Sequence, residues 1–157
     1  MYGSVFTAIA ILAIASNSAH RPPAIDFLPN RWHLDRMIKR IKFLGIPVAD
    51  QDRALRFYTE KLGFRILTDQ EFNEKQRWIE LSIPGAETGI SLFTPEGLEN
   101  RVGTFLNTSW EVENIAKTYD ELTARGVEFA KPPEKQPWGT YAVLKDSEGN
   151  QIVLSSR

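Results

Sequence analysis

Residues 48–64 read VADQDRALRFYTEKLGF. Asp50, a residue type that caps helices, follows an apolar strand end. Ala54, Leu55, Tyr58 and Leu62 then recur at helical spacing, while Arg53, Arg56 and Glu60 are expected to form a solvated face that needs no partner. Gly63 ends the helix in the way a C′ glycine does. Residues 112–129 read VENIAKTYDELTARGVEF and repeat the plan. Superimposing Val48 on Val112 aligns cap, helix and terminal glycine, with a single gap just before the glycine. A repeat of this length marks a duplicated supersecondary unit.

Strand patterns extend outward from each helix. Residues 41–48 alternate, with Leu44, Ile46 and Val48 on one side and Phe43, Gly45 and Pro47 on the other. Pro47 lacks an N–H, so this strand lies near an end or an edge. Strands are predicted over 64–68, over 77–83 with Trp78, Glu80 and Ser82 on one face, and over 88–94. In the second copy they are predicted over 106–112, 127–130, 139–145 and 151–155, with the proline-rich residues 131–138 as a loop. Asn114 caps a second helix carrying Ile115, Tyr119 and Leu122, and Gly126 ends it. Each unit is thus βαβββ. One helix covers one sheet face and leaves the other bare, so the expected fold is α+β. Two tandem modules, about 38–97 and 104–156, form a cupped mixed sheet around a central cavity for a small molecule.

The chain has 157 residues, 25% of them charged, with a net charge of −1 and no cysteine. That suits one domain with a real core. No basic cluster suggests nucleic acid as a partner. Its two histidines, His20 and His33, precede the patterned region. From Met37 onward nothing supports a Ser–His–Asp or Cys–His nucleophile, and neither a Walker loop nor a G-x-G-x-x-G turn occurs. Residues 1–36 are read as an extension. Residues 5–15 are small and apolar, but no basic n-region precedes them, and the run is short for a span. The favoured reading is translated sequence upstream of a start at Met37, in a cytoplasmic protein. A secretion signal or a membrane anchor are the alternatives.

Taken together, Val48–Tyr58 with Leu62-Gly63-Phe64, Trp110-Glu111-Val112, Tyr119-Asp120-Glu121-Leu122, Arg125-Gly126-Val127-Glu128-Phe129, Pro137-Trp138-Gly139 and Asp146-Ser147-Glu148-Gly149-Asn150 resemble the vicinal oxygen chelate superfamily. This group contains glyoxalase I, bleomycin resistance proteins and extradiol dioxygenases. The resemblance implies a homodimer. It also implies that the family's metal positions fall on Phe43, Ser91, Asn107 and Val153. Phe43 and Val153 cannot ligate, and Ser91 and Asn107 are poor ligands alone, so no metal and no cofactor are expected.

The side-chain alternation nominates Phe43 and Trp78 as pocket walls, with core filling the alternative, and Trp138, which follows a proline in a loop, as a lid or an anchor. Asn107 and Ser91 are either donors to ligand oxygens or the polar filling of a vestigial site satisfied by water, with Gln151 a weaker candidate for the first role. Glu80 and Glu111 are either general bases or, as favoured, solvated or ion-paired carboxylates. The ligand-binding set is therefore Phe43, Trp78, Glu80, Ser91, Asn107, Trp138 and Val153. The leading functional reading is a metal-independent protein holding an apolar or aromatic molecule. The alternatives are a lyase, isomerase or dioxygenase using either a metal held by unexpected ligands such as Glu80 and Glu111 or metal-free acid–base chemistry, and a regulatory or scaffold module with a filled cavity.

Overall fold

Period-two alternation builds two four-stranded sheets with the same strand order. In the computed structural model, which describes residues 38–157, sheet A contains β1 (Phe43–Pro47), β2 (Arg65–Asn73), β3 (Gln76–Ser82) and β4 (Gly89–Phe93) in the order β1-β4-β3-β2. Sheet B contains β5 (Phe105–Glu111), β6 (Glu128–Gln136), β7 (Gly139–Lys145) and β8 (Gln151–Ser156) in the order β5-β8-β7-β6. In each sheet the first strand pairs parallel with the last, and the remaining pairs are antiparallel. The two βαβββ modules are therefore present. The readings placed on residues 1–37 lie outside the described residues. No helix among the described residues is long and apolar enough to cross a membrane.

Helices α1 (Gln51–Arg56) and α2 (Ile115–Ala124) begin at the expected caps. Asp50 accepts from the Arg53 amide at 2.9 Å, and Asn114 accepts from the Lys117 amide at 3.0 Å. The one-residue gap in the repeat has a structural form. α1 continues as a π-helical turn, Phe57–Lys61, which α2 lacks. One extra residue inside a helix is absorbed by widening a single turn. Gly63 and Gly126 follow at φ 75° and 78°, conformations that L side chains disfavour.

Ile46, Ile79, Leu81, Ile90 and Leu92 of sheet A pack with Ala54 and Tyr58 into one core. Ala142, Leu144, Ile152 and Leu154 pack with Ile115 and Leu122 into another. Phe57, Leu62, Leu106 and Trp110 touch both cores, so the helix-covered faces of the two modules share these side chains.

Polar contacts pin the same junction. The Tyr58 hydroxyl donates to Asp146 at 2.7 Å. The Asn150 amide nitrogen donates to the Pro47 carbonyl at 2.9 Å. Glu148 accepts from the Ala49 and Asp50 amides at 2.9 and 3.2 Å, and from two guanidinium nitrogens of Arg53 at 2.7 and 2.9 Å. The expectation of an unpartnered charged face on the first helix is thereby corrected. Arg53 is half exposed but reaches the hairpin loop of the other module, and Asp52 holds Arg77 at 2.6 Å.

Residues 131–138, expected as a loop, mostly belong to β6. Pro132 and Pro133 are tolerated because β6 is an edge strand and its pairing skips from Lys131 to Glu134. β2 likewise runs on to Asn73, past the predicted end at residue 68. It is exposed along most of its length on both faces, so no apolar alternation marks it.

Candidate functional site

Parity decides what the bare face of sheet A shows. β1 points Phe43 and Gly45 away from the helix side, β4 points Ser91 and Phe93, and β3 points Trp78 and Glu80. Gly45 pairs with Ser91, and Ser91 pairs with Glu80. All of these but Glu80 border a cavity of about 330 Å³, near the lower end of the roughly 300–1,000 Å³ typical of ligand pockets. Its walls are Phe43, Phe72, Trp78 and Phe93; Gly45 and Ser91 lie between them, and Gln76, Arg77 and Thr94 form a polar end. Trp78 lies edge-on to Phe43 at 5.7 Å between centroids and tilted against Phe72 at 6.3 Å.

Ser91 is only 3% exposed, and its hydroxyl makes no hydrogen bond to any described residue. The hydroxyl keeps access to the cavity it lines, since Trp110 Nε1 alone among the described residues is a buried side-chain nitrogen or oxygen without a partner, so the Ser91 hydroxyl is free to bond a molecule held there. Glu80 already has its partners. It accepts from Lys42 at 2.8 Å and from the Trp78 indole at 2.9 Å. The Lys42 ammonium, helped by the indole, holds its carboxyl below the usual range despite the opposing effect of burial. A carboxylate so stabilised is a poor general base. Arg77 is likewise engaged, with Asp69 at 3.1 Å and Asp52 at 2.6 Å.

The amide of Gln51 shapes the polar end. β3 and β4 pair only from Ile79↔Leu92 to Leu81↔Ile90 and then diverge. Into that split Gln51 donates to the carbonyls of Arg77 and Leu92 at 2.7 and 3.1 Å and accepts from the Arg77 amide at 2.8 Å. The strands can therefore open toward the cavity without orphaning these backbone groups.

The other expected site residues lie on sheet B. Asn107 is exposed on β5, and Val153 on β8 is half-buried beside Val143. Trp138, in the turn between β6 and β7, is 50% exposed and stacks on Tyr141 at 5.7 Å. Lys131 binds the Tyr141 hydroxyl and pairs with Glu134 at 2.7 Å. Glu111 is exposed and pairs across the ladder with Ser155, and Gln151 lies opposite Lys145. The structure thus gathers Phe43, Trp78, Glu80 and Ser91 on one face. It does not bring Asn107, Trp138 or Val153 to the walls of that cavity.

Sequence reasoning missed Phe72, Phe93, Gly45 and Arg77. Phe93 and Gly45 were within reach, because each lies two residues from a nominated neighbour on the same face. Phe72 was not, since a register shift between Glu71 and Asn73 displaces it.

The donor set does not fit a divalent ion. The four positions implied for a metal offer one hydroxyl and one amide, with Phe43 and Ser91 on sheet A and Asn107 and Val153 on sheet B. Among the described residues no three His, Cys, Asp or Glu side chains converge.

Residues 40–154 match the Glyoxalase/Bleomycin resistance protein/Dioxygenase superfamily. An uncharacterized Bacillus subtilis protein, YetH, is 34% identical over 118 residues, covering 75% of this chain and 98% of that protein. A crystal structure of a superfamily member from Sphaerobacter thermophilus is 35% identical with a TM-score of 0.70, covering 77% of this chain and 99% of that one. TnmS3, described as an antibiotic binding protein from Streptomyces sp. CB03234, is 29% identical with a TM-score of 0.66, covering 76% and 97%.

Proposed function

The chain belongs to the Glyoxalase/Bleomycin resistance protein/Dioxygenase superfamily, and from that premise we propose that it binds a small flat aromatic molecule on the bare face of sheet A, without a metal. The observation that carries this reading is the aromatic lining of the cavity by Phe43, Phe72, Trp78 and Phe93, with the Ser91 hydroxyl facing it and bonded to no described residue. A ligand carbonyl or hydroxyl would bond that hydroxyl while the ring system lies against Phe43 and Trp78. The similar protein TnmS3 is described as an antibiotic binding protein, which supports a small molecule as the ligand. The pairing of Glu80 with Lys42 counts against acid–base catalysis at this carboxylate.

The proposal includes a homodimer, since the face is open and two-fold pairing is the commonest symmetry. Asn107, Trp138 and Val153 would contribute where the sheet B face of a second copy meets a ligand. Sedimentation velocity at micromolar concentration should give a dimer, and a monomer would remove that element.

Elemental analysis of untagged protein should find no stoichiometric metal. A thermal-shift screen with planar aromatic compounds should raise the melting temperature, because a ligand that binds only the native state stabilises it. Stoichiometric metal, or no response to any compound, would overturn the reading.

A further inference from the structure

On the bare face, β1 presents Phe43, Gly45 and Pro47 beside Gly89, Ser91 and Phe93 of β4. Small residues therefore lie between two phenylalanines. A Cβ built on Gly45 would sit 3.0 Å from Cε1 of Phe93, 3.5 Å from Cδ1 and 3.9 Å from Cζ. The Phe93 ring thus lies across the β1 backbone at Gly45. Gly45 is not among the residues with positive φ. What the glycine supplies is room for the ring, not an unusual backbone conformation.

Phe93 differs from the other aromatic walls. Phe43 and Phe72 each pack against Trp78. Phe93 makes no ring–ring contact with any described residue, and it is half-buried at the cavity edge. Its resting place is the shelf that Gly45 leaves free.

We infer that Phe93, seated on Gly45, is the specificity-determining residue of the cavity: it stops the aromatic trough and limits the length of the flat ligand. This deepens the proposed function and rests on it. With Phe93 seated over Gly45 the trough is closed at that end, so the limit falls on the length of the ligand, and a bicyclic ligand meets it more easily than a tetracyclic one. Removing the ring extends the trough over the bare backbone at Gly45. Adding a methyl group at position 45 drives the ring outward into the trough.

The test is calorimetric titration of the full chain with 2-naphthol and with 1-hydroxypyrene. Both probes carry one hydroxyl for Ser91, and they differ in ring count. Wild type should prefer 2-naphthol. F93A should move the ratio of the two dissociation constants toward 1-hydroxypyrene by about tenfold or more, the scale on which apolar pockets discriminate size. G45A should move it the other way. The ratio is taken on one preparation, so partial loss of folded protein cancels, and F93L serves as the milder variant should F93A fail to fold. A ratio unchanged in the folded variants would overturn the inference. If wild type bound 2-naphthol and S91A weakened it while F93A left the ratio unmoved, the inference alone would fall. If wild type bound neither probe, the proposed ligand site would fall and the inference with it.

Discussion

The hydroxyl of Tyr58 donates to Oδ2 of Asp146 at 2.7 Å, joining the π-helical turn of the first module to the hairpin loop of the second. Tyr58 is fully buried. Burial, then the neighbouring Asp146 carboxylate, pushes its phenol well above 10, so it stays a neutral donor. Y58F removes one donor from a buried carboxylate that also depends on Asn150. The expected loss is about 1–3 kcal/mol, the cost of a buried acceptor left short. Urea unfolding of wild type and Y58F measures it; equal stability would show that the contact ties nothing.

Acid should loosen the same junction through Glu148. Burial alone raises its carboxyl, but Arg53 and the amides of Ala49 and Asp50 more than reverse this and hold it below 4.5. A carboxyl with a lowered folded value stabilises the protein above the ordinary range, and the contribution is lost as pH falls through the folded value. Asp146 runs the other way, because burial holds it above 3.8 and it favours the fold on its acid side. Wild type should therefore lose the Glu148 contribution as pH drops below 4.5, with Asp146 opposing it. E148Q should be less stable at neutral pH and decline less steeply below that value. Urea midpoints measured from neutral to acid pH test this, and parallel slopes would contradict it.

Gln51 fills the split between β3 and β4, and Q51A leaves the Arg77 amide and carbonyl without their side-chain partner there and takes one donor from the Leu92 carbonyl. The variant should lose about 1–3 kcal/mol. Its Arg77 amide should also exchange faster with deuterium than the amide of Ile79, which lies inside the paired ladder. Unchanged protection at Arg77 would show that the glutamine is a bystander.

Side-chain alternation separated the two faces of sheet A, because β1, β3 and β4 each point one set of residues toward the helix and the other set away from it. That is why Phe43, Trp78, Glu80 and Ser91 meet where parity put them. Edge strands were less legible. β2 faces solvent on both sides, and the prolines of β6 read as loop until its one-sided pairing is known. The gap in the repeat was visible, but nothing in a linear string says whether an extra residue widens a helical turn or lengthens a loop. Arg53 and Glu148 stand 95 residues apart, so no local pattern could couple them.

The central claim is that a flat aromatic molecule binds the trough beside Trp78 with no metal present. Titrating 2-naphthol into untagged, chelator-treated wild type and W78A, by calorimetry, tests it most directly. Saturable binding to wild type, weakened about tenfold or more in a folded W78A, is the predicted result. No saturable heat with wild type, or equal affinity in both proteins, would contradict it.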